Sequence, residues 1–183
     1  MSATRECRRE GSTDRGTVVR SGGFSLVAES HPMRRRLQFM ARYSLADKTV
    51  LVTGAAGGIG GASARALSAR GANLVLVGRN SSSVAALARE LGEERALPLA
   101  MDVTDPAAME EAVGGAVDRF GRLDVVFANA GIAPERPATL ATMDAEVFER
   151  IVEVNVLGVW RTVRASLPQI IANHTRPVDR SAA

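Results

Sequence analysis

Short apolar runs alternate with amphipathic stretches along the chain from Leu45 to Ile171. The runs have the length of buried strands, and the stretches that follow them carry apolar residues at helical spacing. Strands that alternate with helices in this way indicate βαβ units, so the pattern predicts an α/β fold with a parallel sheet. The predicted strands cover residues 49–53, 73–77, 96–101 and 123–128, and the predicted helices cover 58–70, 81–91, 106–120 and 144–171.

Residues that favour helix ends support these bounds. Asp105 and Pro106 suit the N-cap and the first position of the third helix. The serine run Ser81–Ser83 predicts the start of the second helix. Gly71 and Gly92 suit the position that follows a helix, because glycine tolerates the left-handed conformation found there.

The formal net charge of +3 is unevenly distributed. Residues 1–43 contain nine arginines and four acidic residues, for +5, whereas the rest of the chain contains fourteen basic and sixteen acidic residues, for −2. A nucleic-acid-binding domain carries its basic patch on the fold, so this distribution argues against nucleic acid as a partner. The cluster Arg34–Arg36 fits a solvated tail better than a surface-binding patch.

The two ends of the chain differ from its middle. Residues 1–43 show no sustained period and predict a disordered, Arg-rich leader. An organellar transit peptide and a translation start placed too early are the alternatives, with Met1, Met33 and Met40 as candidate starts. Residues 173–183 are polar and predict a tail without homology, outside a domain at 44–172.

Composition excludes several classes of protein. Cys7 is the single cysteine, so neither an internal disulfide framework nor a cysteine zinc site can form. No apolar run approaches the roughly 18 residues of a membrane span. The aspartates at 102, 105 and 124 lack a convincing metal-binding pattern. We expect a cytoplasmic protein that binds neither membrane nor metal.

The segment Thr53–Gly60 reads Thr-Gly-Ala-Ala-Gly-Gly-Ile-Gly and links the first strand to the first helix. Backbone N–H groups at such a helix N-terminus, together with the helix dipole, attract phosphate. Glycines allow the tight turn and the close approach of a pyrophosphate. The turn therefore predicts a dinucleotide site.

Four motifs in order make the chain resemble the short-chain dehydrogenase/reductase family over about residues 45–172. The glycine turn fits the family's Thr-Gly-x-x-x-Gly-x-Gly. The other three motifs are Asp102-Val103 after the third strand, Asn129-Ala130-Gly131 after the fourth with Ala128 in place of a first Asn, and Asn155 on the long helix. The resemblance implies a Rossmann-like doubly wound parallel sheet, here truncated after the fourth strand and the long helix.

The resemblance also implies the roles of individual residues. Asn155 would hold a water in a proton relay, as the one surviving member of the family's catalytic set. Both Asp102 and Asn129 have a structural alternative to cofactor binding. Asp102 could cap a loop, and Asn129 could tie neighbouring strands together. The implied cofactor-binding residues are Gly54, Ala56, Gly58, Ile59, Gly60, Arg79, Asp102, Val103, Asn129, Ala130 and Gly131.

The end of the second predicted strand bears on the choice of cofactor. NAD enzymes of this kind place an acidic residue there for the ribose 2′-hydroxyl. This chain has Arg79 instead, whose planar donors suit a 2′-phosphate. We therefore expect NADP in preference to NAD, although Gly57 stands where many NADP-preferring relatives have a basic residue.

The family's catalytic Tyr-x-x-x-Lys pair and its serine are absent from the chain. Tyr43 and Lys48 are the single tyrosine and the single lysine, and both precede the first strand. A frameshift, a premature stop or a fragment of a longer protein would explain this. We expect no turnover, an edge position for the fourth strand and an exposed apolar stripe on the long helix.

Three hypotheses follow. The first is an NADP-dependent oxidoreductase by family, acting on a small alcohol or carbonyl and forming homo-oligomers, with this chain inactive. The second is a dinucleotide-binding remnant or a non-catalytic partner module. The third, binding of nucleic acid or of a surface through the Arg-rich leader, is disfavoured by the charge distribution.

Overall fold

The computed structural model describes residues 44–139 and 141–175, and the predictions for the leader and for residues 176–183 lie outside this part of the chain. Strands and helices alternate, as predicted. The elements are β1 (Thr49–Thr53), α1 (Gly58–Ser68), β2 (Asn73–Gly78), α2 (Ser81–Leu91), β3 (Ala96–Ala100), α3 (Pro106–Phe120), β4 (Val125–Phe127), α4 (Ala145–Val152), a π-helical segment (Glu153–Gly158) and α5 (Val159–Thr175).

The described strands form one parallel sheet in the order β3-β2-β1-β4. Val50 pairs with Leu74 on one side and with Val125 on the other. The chain order therefore reverses between β1 and β4, and open α/β sheets bind ligands outside the carboxyl ends of the strands at such a point.

Both faces of the sheet are covered, which makes the strands apolar on both sides rather than alternating. Val50, Val52 and Leu76 pack with α1 and α2 on one face. Leu51 and Val75 pack with α3 and the π-helical segment on the other. This two-layer covering confirms the doubly wound α/β fold.

Some predicted bounds were wrong by a few residues. β4 is shorter than predicted and covers only Val125–Phe127, although Leu123 ahead of it is buried and the Asp124 N–H already bonds to the Thr49 carbonyl of β1. The N-cap of α2 is Asn80 rather than a serine, with its Oδ1 accepting from the Ser83 N–H at 2.9 Å. As predicted, Asp105 caps the N-terminus of α3 and Pro106 follows it as the first residue of the helix.

The long predicted helix is continuous but not uniform. Its middle winds as a π-helix over Glu153–Gly158, and α5 continues to Thr175 rather than ending at Ile171. The hydrophobic period did not predict the wider turn, which sets the position of Asn155. Short π-helical insertions of this kind are frequent at functional sites.

Two surface features follow from the part of the fold that is described. β4 lies at an edge of the sheet, as predicted. The long helix exposes an apolar stripe, also as predicted: Phe148, Val156, Trp160 and Leu167 are each about half exposed. Within residues 44–139 and 141–175, no helix is both long and apolar enough to cross a lipid bilayer.

Candidate functional site

A cleft of about 440 Å³ lies at the carboxyl ends of the strands, at the point where the chain order reverses. Ligands of open α/β sheets bind in this position. The cleft is lined by the glycine turn, the ends of β2 and β3 and the loop after β4: Gly54, Gly57, Gly58, Ile59, Gly60, Val77, Gly78, Arg79, Met101, Asp102, Val103, Asn129, Ala130, Gly131, Ile132 and Val154.

The glycine turn is built around two positions that exclude a side chain. Gly54 has a φ of +64°, and a Cβ there would lie 3.0 Å from the Ala130 Cα. A Cβ on Gly60 would overlap the Gly54 carbonyl oxygen. The close neighbour of Gly60 is therefore the backbone of the turn itself.

The first residues of α1 line the cleft. Gly57 is the N-cap and has no side chain to accept from them, and the first intrahelical bond runs from the Gly61 N–H to the Gly57 carbonyl at 2.7 Å. The N–H groups of Gly58, Ile59 and Gly60 precede that bond and so lack an acceptor within the helix. A Cβ on Gly58 would meet nothing within 4 Å, so the approach is open. This geometry fits a bound phosphate.

Asn129 both lines the cleft and ties two strands together. Its backbone N–H donates to the Thr53 hydroxyl at 3.0 Å, and its Nδ2 donates to the Thr53 carbonyl at 3.1 Å. Asn129 therefore ties β1 to β4, as the alternative role predicted, and it also lines the cleft.

Asp102 combines the two roles considered for it. Its Oδ1 accepts from both the N–H and the hydroxyl of Thr104, each at 2.9 Å, which caps the loop. Its Oδ2 faces Arg150, whose Nη2 lies 3.6 Å away. Burial would raise the pKa of Asp102, but the Thr104 hydrogen bonds and the charges of Arg150 and Arg79 outweigh it and lower the pKa. The carboxylate at the rim of the cleft is therefore ionised at neutral pH.

Arg79 follows β2 directly and is exposed at the mouth of the cleft. Its positive charge contributes to the lowered pKa of Asp102, so the two side chains interact electrostatically across the ends of the neighbouring strands β2 and β3. A guanidinium in this position can bind a phosphate monoester with two donors.

Asn155 supports the wall of the cleft. Its Oδ1 accepts from the Ile132 N–H at 2.8 Å, and its Nδ2 donates to the Ile132 carbonyl at 2.9 Å. Asn155 is exposed. Its amide thereby holds the loop that follows β4.

Ala56 is the one predicted cofactor-binding residue that does not line the cleft. It lines a second cavity, between α1 and α2, with Arg65 and Glu90. Sequence reasoning missed the apolar lining residues Met101 and Val154, although the rule that ligands bind at strand ends could have found Met101. Within the described part of the chain, no group of three or more His, Cys, Asp or Glu side chains could hold a metal ion.

Comparison with known proteins places this geometry in a family. The family model described as short chain dehydrogenase matches residues 48–176. Short-chain dehydrogenase reductase 5 of Arabidopsis thaliana is 34% identical over 137 residues, which is 75% of this chain and 52% of that protein. The cis-4-hydroxycyclohexanecarboxylate dehydrogenase of Sinomonas cyclohexanicum is 42% identical over 118 residues, covering 63% of this chain and 47% of that one.

Solved structures agree. The 3-ketoacyl-(acyl-carrier-protein) reductase of Brucella melitensis, complexed with NADH, superposes with a TM-score of 0.68 at 36% identity, covering 71% of this chain and 53% of the other. A short-chain dehydrogenase/reductase (glucose/ribitol dehydrogenase) of the same organism gives 0.66 at 33% identity, covering 70% and 54%. This chain spans about half the length of the relatives that it matches. With its parallel sheet, glycine turn and dinucleotide-binding fold, the chain belongs to the short-chain dehydrogenase/reductase family.

Proposed function

We propose that the cleft binds the pyrophosphate and adenosine of a nicotinamide dinucleotide. The observation that carries the proposal is the open N-terminus of α1, where Gly58, Ile59 and Gly60 line the cleft and their N–H groups have no intrahelical acceptors. Asp102 at the end of β3 and Asn129 at the end of β4 complete the cradle on either side of the turn.

NADP is the preferred cofactor in this proposal. Arg79 stands at the end of β2, where an acidic residue would select the ribose 2′-hydroxyl of NAD. A 2′-phosphate suits its guanidinium, which is exposed at the mouth of the cleft. The related reductase of Brucella melitensis is complexed with NADH, so the preference has to be measured on this chain.

The whole protein's reaction would be hydride transfer between NADP(H) and a small alcohol or carbonyl. A tyrosine needs help to act as a base near neutrality, because its unperturbed pKa is about 10. The single tyrosine and the single lysine of the chain, Tyr43 and Lys48, are five residues apart and both precede β1, so they do not form a Tyr-x-x-x-Lys pair. The 183-residue chain by itself would therefore bind cofactor without turnover, as a dinucleotide-binding or partner module.

Calorimetric titration of the chain with NADPH tests binding. Gly58→Trp should abolish the binding heat, because its side chain would fill the open approach to α1. Gly114→Trp is the matched control, since a Cβ on that exposed glycine of α3 also meets nothing within 4 Å. Equal NADPH affinity in the two variants, or no binding by the unaltered chain, would refute the cradle. If the unaltered chain oxidised alcohols with NADP and the Gly58→Trp variant did not, the prediction that the chain is inactive would be refuted.

The proposal includes self-association in the cytoplasm. The apolar stripe on the long helix, with Trp160 and Val156 more than half exposed, supports a homo-oligomer, because such stripes mark interaction surfaces. Sedimentation of the chain and of a Trp160→Lys variant tests it. An unaltered chain that stays monomeric at micromolar concentration would refute self-association.

A further inference from the structure

Arg150 on α4 reaches the carboxylate of Asp102 at the end of β3. Its Nη2 lies 3.6 Å from Oδ2, whereas Oδ1 is already held by two hydrogen bonds from Thr104. The side chains remain about half and one-third exposed, respectively, so a ligand in the cleft can reach the pair. The two oxygens thus face different partners.

The long helix is held against this loop by close packing. A Cβ on Gly158, at the end of the π-helical segment, would lie 2.7 Å from Cγ2 of Val103, so the helix backbone contacts the loop directly. Val154 is buried one turn earlier and lines the cleft. Arg150 precedes Val154 by four residues on the same continuous helix, which places it over Asp102.

The wall beside Asp102 indicates what the carboxylate meets. Val77, Met101 and Val103 give that end of the cleft an apolar lining, and Asp102 lines the cleft beside them. An apolar wall with one ionised acceptor suits a heteroaromatic base that carries an amino group. The phosphate-binding turn follows β1, which β2 separates from β3 in the sheet, so the base of a dinucleotide would lie here.

We propose that Arg150 is a positioning residue for adenine: it holds Oδ2 of Asp102 in the orientation that accepts from the 6-amino group. The inference rests on the proposed dinucleotide function. Without Arg150, Oδ1 would stay on Thr104 but the carboxylate could pivot about that contact. Recognition of the amino group would weaken, while binding of the phosphates at α1 would not.

The test compares NADP with its hypoxanthine analogue, which presents a carbonyl oxygen in place of the amino group. The ratio of the two dissociation constants reports the contact of the base and cancels general effects on folding and charge. We expect the unaltered chain to prefer NADP and Asp102→Asn to lose the preference. Arg150→Gln should lower the ratio about two- to fivefold, in line with a partly exposed ion pair. Arg150→Lys should retain most of it.

Arg89→Gln on α2 is the charge-matched control, because that arginine is exposed, bonds to a carbonyl of its own helix and does not line the cleft. Its ratio should equal that of the unaltered chain. A ratio unchanged in Arg150→Gln, even with weaker binding of both ligands, would overturn the positioning role and leave the dinucleotide function intact. No preference for adenine in the unaltered chain would also overturn it. Failure to bind either ligand would overturn the function and the positioning role together.

Discussion

Asn129, after β4, donates two hydrogen bonds to Thr53 at the carboxyl end of β1. The Thr53 hydroxyl accepts from the Asn129 N–H at 3.0 Å, and the Thr53 carbonyl accepts from Asn129 Nδ2 at 3.1 Å. The same hydroxyl accepts from the Ala130 N–H at 3.0 Å. These bonds continue the pairing of two strands whose ladder ends at Phe127, and so hold the cleft together where the chain order reverses.

Thr53→Val should destabilise the protein by about 1–3 kcal/mol, because the N–H groups of Asn129 and Ala130 would lose their acceptor inside a folded region. Urea unfolding followed by circular dichroism measures the change. Thr53→Ser keeps the hydroxyl and is the control, with a smaller loss due to the missing methyl group. Equal losses in the two variants would contradict the role of the hydroxyl.

Gly60→Ala should destabilise the fold by about 1–3 kcal/mol, since the new Cβ would overlap the Gly54 carbonyl and force the turn to open. Gly58→Ala is the matched control in the same helical turn. Its Cβ meets nothing within 4 Å, so we expect unchanged stability or a gain of about 0.4–1 kcal/mol. Thermal unfolding of both variants would decide between these outcomes. A Gly60→Ala variant as stable as the unaltered protein would argue against the tight turn.

Asp124, at the amino-terminal end of the sheet, has a buried carboxylate that supports β1. It accepts from the Thr49 N–H at 2.9 Å and from the Arg122 Nε at 2.8 Å, with Lys48 nearby. Burial would raise the pKa of Asp124, but the hydrogen bonds from Arg122 and Thr49 and the positive charges outweigh it and lower the pKa.

The lowered pKa makes the contribution of Asp124 depend on pH. A folded-state pKa below the unfolded value of about 3.9 stabilises the protein fully above that value, and the contribution disappears as the pH falls through the folded pKa. Asp124→Asn should therefore cost about 1–3 kcal/mol near pH 7 and progressively less below about pH 4. Free energies of unfolding across this range test the sign. A cost that grows on acidification would be inconsistent with it.

Arg79→Gln should weaken NADP binding about tenfold and leave NAD binding nearly unchanged, because a charged donor set to the 2′-phosphate is lost. Competitive titration with the two cofactors measures the selectivity. Arg89→Gln on the exposed face of α2 removes the same charge away from the cleft and should not alter the ratio. A chain that binds NAD more tightly than NADP before any substitution would contradict the assignment of Arg79.

Local sequence determined much of this protein, because the signals act over a few residues. Apolar runs predicted strands such as β1, capping by Asp105 predicted the start of α3, and the glycine turn predicted the phosphate-facing helix end. Sequence could also predict that Asp102 and Asn129 lie at the same end of the sheet, because the carboxyl ends of parallel strands share that end.

Tertiary structure decided the contacts between residues far apart in the chain. The ion pair of Arg150 with Asp102 and the bonds of Asn155 to Ile132 depend on how the π-helical segment turns and how closely Gly158 packs on Val103. A hydrophobic period gives the face of a helix but not its local winding or its height above a loop. Sequence therefore determined the elements and the phosphate end of the site, and packing decided which side chains meet at the other end.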